Sequence, residues 1–127
     1  GFPRARFGGL CPRLNIHAAF AQPGQVLVEA VEMPDGDAFL TVSRTLEGPQ
    51  AGFGERVRRT AVLLGCDFAQ AAETVYGPAA SGAAPVAVGP SCRLCERQGC
   101  LSRAEAPLTR PLGLDEMVTG LSVFDFQ

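Results

Sequence analysis

Three cysteines crowded into one short segment constrain this chain more than any other feature of its 127 residues. Cys92, Cys95 and Cys100 follow the spacing C-x2-C-x4-C. Two cysteines separated by two residues can turn their sulfurs toward one metal ion, and Gly99 tolerates the backbone angles that return the third sulfur to it. Structural zinc sites are closed by four ligands. The spacing therefore predicts a zinc knuckle that takes its fourth ligand from elsewhere in the chain.

Three residues outside this segment are candidates for the fourth ligand. Cys66 ranks first, because it lies between a predicted strand and a predicted helix N-terminus, where the helix dipole and free amides stabilise a thiolate. Cys11 ranks second and His17 third. Two alternatives stay open. The cysteines are reduced thiols packed in a small core, or Cys92 and Cys95 form a redox dithiol, which the lack of a thioredoxin-like strand-to-helix junction disfavours.

The charge balance and the start of the chain argue against several classes of protein. Eleven basic and thirteen acidic residues give a net charge of −2, so the bulk positive field of a nucleic-acid binder is lacking. A hydrophobic content of 46% argues against wholesale disorder, and the length fits one domain. The apolar runs are too short for a membrane span, and the chain opens without a signal peptide. We expect a cytoplasmic domain taken from a longer protein.

Local patterns predict an α+β fold, a single small domain whose sheet is based on an antiparallel hairpin with flanking helices. Two β-rich runs, 25–33 and 37–46, are joined by the turn Pro34-Asp35-Gly36. The other predicted elements are helices over 15–20 and 68–76 and strands over 57–65, 86–88 and 121–126. Asp67 is predicted to cap the second helix, and Gly77-Pro78 to end it.

Three separated blocks of the sequence resemble a known family. The blocks are Cys11-Pro12-Arg13-Leu14-Asn15-Ile16-His17, then Leu64-Gly65-Cys66-Asp67, then the cysteine segment followed by Arg103, Pro107 and Arg110. In this order they resemble the C-terminal domain of the short-chain fatty acyl-CoA regulators, which are bacterial transcription factors with an N-terminal helix-turn-helix domain. The resemblance covers the chain from about residue 6 to residue 126.

The resemblance implies one effector domain over residues 1–127. Such a domain binds a short-chain acyl-CoA, for example propionyl-CoA or acetyl-CoA, and thereby changes the DNA affinity of the attached reader. DNA is then a partner only through the helix-turn-helix domain, which is missing from this chain. The resemblance implies neither catalysis nor a membrane partner, and it is compatible with a homo-oligomer.

An acyl-CoA needs cationic contacts for its phosphates and a small apolar pocket for its acyl end. Arg56, Arg58 and Arg59 form the densest basic cluster, and they follow a Gly-rich stretch over 48–54 that would allow closure over a ligand. The candidates for the acyl end are Asn15, His17, Phe20, Phe39 and Tyr76.

Each of these candidates also has a structural interpretation. The arginine cluster is typical of a solvated charged face beside Glu55, and a lone histidine in a short helix is typical of a satisfied structural group. Asn15 can stabilise a turn, and Phe39 and Tyr76 fit the core. The cysteine segment carries a second basic group. We interpret it as surface arginines that serve solubility or form ion pairs, and its members are Arg93, Arg97 and Arg103.

Two further functions compete with the effector domain. One is a cysteine-dependent acyl-CoA thioesterase or acyltransferase that uses Cys66 or Cys11 with His17, although no nucleophile elbow surrounds these residues. The other is a zinc-knuckle interaction module that serves only dimerisation or nucleic-acid contact. The negative net charge argues against nucleic-acid contact.

Overall fold

A four-stranded sheet with a short helix on one face and a helical segment on the other organises the chain. The structure is a computed structural model that describes residues 2–3, 9–80, 82 and 84–108. Its elements, in chain order, are α1 (Asn15–Ala19), β1 (Leu27–Glu32), β2 (Ala38–Glu47), β3 (Arg59–Asp67), a first 3-10 helix (Phe68–Glu73), α2 (Gly77–Ala80), β4 (Val86–Ala87) and a second 3-10 helix (Cys92–Leu94). The α+β class is confirmed.

The predicted hairpin is formed by β1 and β2, which pair antiparallel with Leu27 opposite Ser43. Its turn is closed by a hydrogen bond of 2.9 Å from the backbone N–H of Gly36 to the carbonyl of Met33. Gly36 has a φ of 94°, in the left-handed region that glycine adopts without a steric penalty. The turn residue and the strand pattern therefore agree, which is why this element is readable from the sequence.

The sheet is mixed rather than purely antiparallel, with the strand order β3-β2-β1-β4. β3 extends the hairpin and pairs antiparallel with β2, whereas β4 pairs parallel with β1 through Val31 opposite Val86. The first 3-10 helix and α2 lie between β3 and β4 and contact the sheet. They carry the chain back along the sheet, so β4 enters in the same direction as β1.

The two faces of the sheet bury different clusters, because successive strand residues point to opposite sides. On the first face, called here the α1 face, Phe39 packs with Val31, Met33 and the N-terminal residues Cys11 and Leu14. On the second face, called here the α2 face, the buried residues are Leu40 and Ala71, with Cys66, Phe68 and Tyr76 packed against them.

The structure corrects the predicted helix over 68–76. The residues from Phe68 to Glu73 form a 3-10 helix, and Asp67 makes no side-chain capping hydrogen bond. Thr74 ends the helix by donating both its backbone N–H (3.0 Å) and its hydroxyl (2.8 Å) to the carbonyl of Ala71. Gly77 begins α2 instead of ending a helix. The hydroxyl competes for the helical carbonyl, an effect that apolar spacing alone does not reveal.

The predicted strand over 121–126 lies outside the residues that the structure describes. Within the described part of the chain, no helix has the length and apolar character needed to cross a membrane.

Candidate metal centre

Four of the five cysteines line one small cavity at the β4 edge of the sheet. Cys92, Cys95 and Cys100 come from the cysteine segment, and Cys11 comes from the turn before α1. The cavity measures about 20 Å³, which is room for one water molecule or one ion. All five cysteines are free thiols. Thiolate sulfurs are soft donors that suit zinc and iron–sulfur clusters, so the chemistry of this donor set fits such a metal.

The zinc knuckle itself is not confirmed. Among the described residues, no three His, Cys, Asp or Glu side chains are placed to hold a metal ion. The structure also separates Cys66 from the other thiols, because Cys66 lies opposite Leu40 and packs on the α2 face. Cys11 packs on the α1 face and reaches the cavity. Cys11 is therefore the cysteine that the fold brings to the predicted three.

Arg103 organises the cysteine segment from inside. It is buried, and its guanidinium donates hydrogen bonds to the carbonyls of Cys92 (2.8 Å), Cys95 (2.7 Å) and Arg97 (2.9 Å), with a longer one to Glu105 (3.3 Å). The planar fork of arginine can serve several acceptors at fixed angles. The sequence pattern favoured a surface position for this residue, and the structure corrects that interpretation.

Arg97 fastens the same segment to the sheet. Its Nε donates to the carbonyl of Val88 (2.9 Å), and its terminal nitrogen donates to the carbonyl of Glu32 (2.8 Å) at the end of β1. A spacing of 65 residues between Arg97 and Glu32 makes this a tertiary contact. Both acceptors are backbone carbonyls, so the positions of Asp and Glu in the sequence do not indicate these bonds. Arg97 is thus a tether between the cavity wall and the sheet edge.

Two further features of the cavity wall concern the sulfurs of Cys92 and Cys95. The backbone N–H of Ala104 points at the sulfur of Cys92 at 3.4 Å, a donor that would stabilise a thiolate. Gly89 leaves space for Cys95, since a Cβ at Gly89 would lie only 2.9 Å from the Cys95 sulfur. These residues were not singled out in the sequence, where a lone glycine or alanine carries no chemical signal.

His17 supports the cavity indirectly. Its Nε2 donates a hydrogen bond of 2.9 Å to the carbonyl of Cys11. This bond fixes the backbone of Cys11 six residues upstream, and it engages the ring with the carbonyl. The structure therefore gives His17 the positioning role that the structural interpretation of a lone histidine anticipated.

A layer of polar side chains lies between α1 and the sheet. Buried hydroxyls of Ser43 and Thr45, and the Oε1 atom of Glu29, have no hydrogen-bond partner among the described residues. Burial raises the pKa of the Glu29 carboxyl above its usual 4.5, while the Arg13 guanidinium and a hydrogen bond from the Asn15 side chain oppose the rise. Asn15, a candidate for ligand contact, is thus engaged with Glu29.

The raised pKa of Glu29 predicts a pH-dependent effect of Glu29→Gln. Between the usual pKa and the raised one the folded state binds more protons than the unfolded state, so the free energy of unfolding falls as pH rises through that window. The substituted glutamine cannot ionise, and we expect the stability of the variant relative to the parent to increase over the same window. Urea denaturation at about pH 4 and about pH 7 measures this difference. Exposed Glu32 on the same strand provides the control Glu32→Gln, and equal pH profiles for the two variants would contradict the prediction.

The eight predicted ligand residues do not form one site in the structure. Arg56, Arg58 and Arg59 lie at or just before the start of β3, and Phe39 lies at the opposite end of β2, where it meets Phe2 edge-to-face with ring centroids 5.2 Å apart. Tyr76 packs on the α2 face, whereas Asn15 and His17 belong to helix α1, which lies on the α1 face. Phe20 is exposed just after α1.

The arginine cluster has exposed apolar neighbours that the sequence pattern did not single out. Phe53 is fully exposed in the β2–β3 connection, Val57 is exposed in the same connection, and Leu46 is exposed near the end of β2. Beside them an open groove of about 370 Å³ runs along the end of β2, with Arg44 and Glu47 among its lining residues. Arg59 is held by Glu47 at 3.1 Å, whereas within the described residues no carboxylate lies within ion-pair distance of Arg56 or Arg58. The β2–β3 connection, with Phe53, Arg56 and Arg58, is called here the hairpin tip, because β2 and β3 also form an antiparallel hairpin.

Residues 1–124 match the family described as "Short-chain fatty acyl coenzyme A regulator, C-terminal". The chain belongs to this family. The resemblance that the three sequence blocks indicated is therefore confirmed.

Curated relatives and a solved structure agree with the family. The chain is 41% identical to the HTH-type transcriptional regulator RamB of Mycobacterium tuberculosis, over 91% of this chain and 26% of that protein. It is 39% identical to the Propionyl-CoA carboxylase regulator of Cereibacter sphaeroides, over 98% of this chain and 27% of that protein. A solved Mycobacterium tuberculosis transcriptional regulator superposes with a TM-score of 0.85 at 31% identity, over 98% of this chain and 39% of that chain.

The chain spans about a quarter of the length of these curated relatives. All of them are regulators by name, and membership of the family fits a regulatory domain.

Proposed function

We propose that this chain is a regulatory domain of a transcription factor, that it is stabilised by a metal ion held by cysteine sulfurs, and that its effector is a short-chain acyl-CoA. The observation that supports the metal is the meeting of Cys11, Cys92, Cys95 and Cys100 around one cavity of ionic size. Zinc is the proposed metal, because four thiolates make a closed structural set. In this proposal the thiol side chains turn inward to bind it.

The buried charge of Arg103 supports the same proposal. Four thiolates around a divalent ion carry a net charge of −2, which is costly in a buried site unless cations or hydrogen-bond donors offset it. Arg103 supplies a guanidinium within the segment that contributes three of the sulfurs, and Ala104 supplies an N–H to the Cys92 sulfur. In this proposal the metal joins the cysteine segment to the turn before α1.

The acyl-CoA proposal rests on family membership and on the hairpin tip. Free CoA and its thioesters present an adenine ring and several phosphates, and both can be held by an exposed aromatic ring beside arginines whose guanidinium groups have no carboxylate partner among the described residues. Phe53, Arg56 and Arg58 combine these features at one end of the sheet. The open groove beside Thr45 and Leu46 would take the pantetheine portion.

A thermal-shift series tests the acyl-CoA proposal. We expect acetyl-, propionyl- or butyryl-CoA to raise the melting temperature of the chain, since a ligand that binds only the folded state stabilises it by about 2.7 kcal/mol at a hundred times its Kd. The double variant Arg56→Ala, Arg58→Ala should reduce the shift strongly. Arg93 is an exposed arginine on the cysteine segment, and the control variant Arg93→Ala should leave the thermal shift unchanged.

No shift with any acyl-CoA would overturn the effector assignment for this chain. A shift that survives the double variant would retain the effector and remove the hairpin tip as its site.

A further inference from the structure

The outer edge of β3 is an unpaired, apolar strand edge. β3 stands at one end of the strand order, and among the described residues no strand pairs with its outer side. It is nine residues long and contains no proline. Leu64 is 68% exposed and Val62 is 36% exposed. Long apolar edges of this kind present free N–H and C=O groups that pair with another strand.

The hydrogen bonds of the sheet reveal which residues of β3 face outward. Gly48 donates from its backbone N–H to the carbonyl of Arg58 at 2.7 Å, directly beyond the pair that Glu47 forms with Arg59. Opposite residues in an antiparallel ladder alternate between hydrogen-bonded and non-hydrogen-bonded pairs. The even-numbered residues of β3 therefore bond to β2. The backbone groups of the odd-numbered residues point away from the sheet.

The sequence of β3 is complementary to itself when two copies run antiparallel. A pairing centred on Leu63 places Arg59 of each copy opposite Asp67 of the other, and it uses the full strand. Val62 then lies opposite Leu64, so the exposed apolar side chains cover one another. Because Leu63 has an odd number, this register also joins the outward N–H and C=O groups of the two edges.

We propose that two copies of this chain associate through their β3 edges, in this register, to form one continuous eight-stranded sheet across a two-fold axis. The contact is isologous, so it closes as a dimer and leaves the β4 edge with the cysteine cavity at the outside of each copy. This proposal is independent of the metal and of the acyl-CoA, because it uses neither the cavity nor the hairpin tip arginines Arg56 and Arg58.

Thr60→Cys tests the register directly. In the paired edges residue 60 lies opposite native Cys66 of the other copy, in a non-hydrogen-bonded pair where opposite Cα atoms are about 4.5 Å apart, and disulfides form at such distances. Within one copy the two positions are six residues apart on a strand, roughly 20 Å, so an internal bridge is impossible. We expect mild oxidation to yield a covalent dimer, in which mass spectrometry finds the introduced cysteine linked to Cys66.

Ala61→Cys is the matched control, since its opposite residue is Gly65, and it should give no such link.

A second variant does not depend on oxidation. Leu64→Lys places an ammonium group in the apolar contact, and sedimentation should show a monomer where the parent chain is a dimer. Val75→Lys, at a more exposed apolar residue away from β3, should remain dimeric.

A parent chain that sediments as a monomer at every concentration would overturn the proposal. So would a dimer that persists in Leu64→Lys, or a Thr60→Cys dimer in which the introduced cysteine forms no bridge to Cys66.

Discussion

Replacing Arg103 by alanine is expected to lower the free energy of unfolding by about 3–5 kcal/mol. The guanidinium donates three short hydrogen bonds to carbonyls of the cysteine segment, and each buried acceptor that loses its donor costs about 1–3 kcal/mol without full additivity. The loss is a large fraction of the total stability of a small domain. Urea denaturation followed by far-UV circular dichroism measures it.

Two further variants separate the hydrogen bonds of Arg103 from its charge. Arg103→Lys keeps the positive charge but replaces the planar fork with one ammonium group, and we expect it to recover only a small part of the lost stability. Arg93→Ala removes an exposed arginine from the same segment and should change the free energy of unfolding by less than about 0.5 kcal/mol. Equal stabilities for Arg103→Ala and Arg93→Ala would show that Arg103 does not organise the segment.

The elements that the sequence predicted well are those whose signals are local. The β1–β2 hairpin combines strand alternation with a turn in which only Gly36 needs a positive φ, and the side chain of Asp35 accepts a bond from the N–H of Asp37 at 3.0 Å. Helix α1 and the short strand β4 also lie close to their predicted positions. Each depends on neighbours within a few residues, which a single sequence displays.

The features that the sequence did not reveal depend on register and on tertiary acceptors. The sequence ranks Cys66 ahead of Cys11 as the fourth ligand, but the register of β3 against β2 places Cys66 beside Leu40, on the side of the sheet away from Cys11. A register shift of one residue would have reversed that side. The connection over residues 48–58 gives no local signal for the register.

The same limit applies to the arginines. Arg97 and Arg103 bond to backbone carbonyls, and every residue in a chain carries a carbonyl, so no pattern of acidic partners marks these contacts. A charged residue near glutamates in the sequence looks like a surface ion pair. Burial of Arg103 becomes visible only when the cysteine segment folds around it.

The largest expected effect concerns the metal, and it distinguishes Cys11 from Cys66 as the fourth ligand. We expect the chain, purified without added metal, to carry about one zinc ion, and we expect Cys11→Ser and Cys92→Ser to lose it. Structural zinc contributes about 10–16 kcal/mol of apparent binding free energy in small zinc domains, so both variants should be largely unfolded at room temperature. Cys66→Ser should keep the metal and the fold, since Cys66 packs on the opposite face of the sheet.

Elemental analysis for zinc and iron, combined with titration of the free thiols in the folded protein, measures these outcomes. Iron in place of zinc would keep the cysteine set and overturn the choice of metal, because four thiolates also hold iron–sulfur clusters. Metal-free protein with five freely reacting thiols would remove the metal centre altogether. Loss of metal in Cys66→Ser but not in Cys11→Ser would contradict the placement of these two cysteines on opposite faces, because a ligand must reach the cavity that Cys92, Cys95 and Cys100 line.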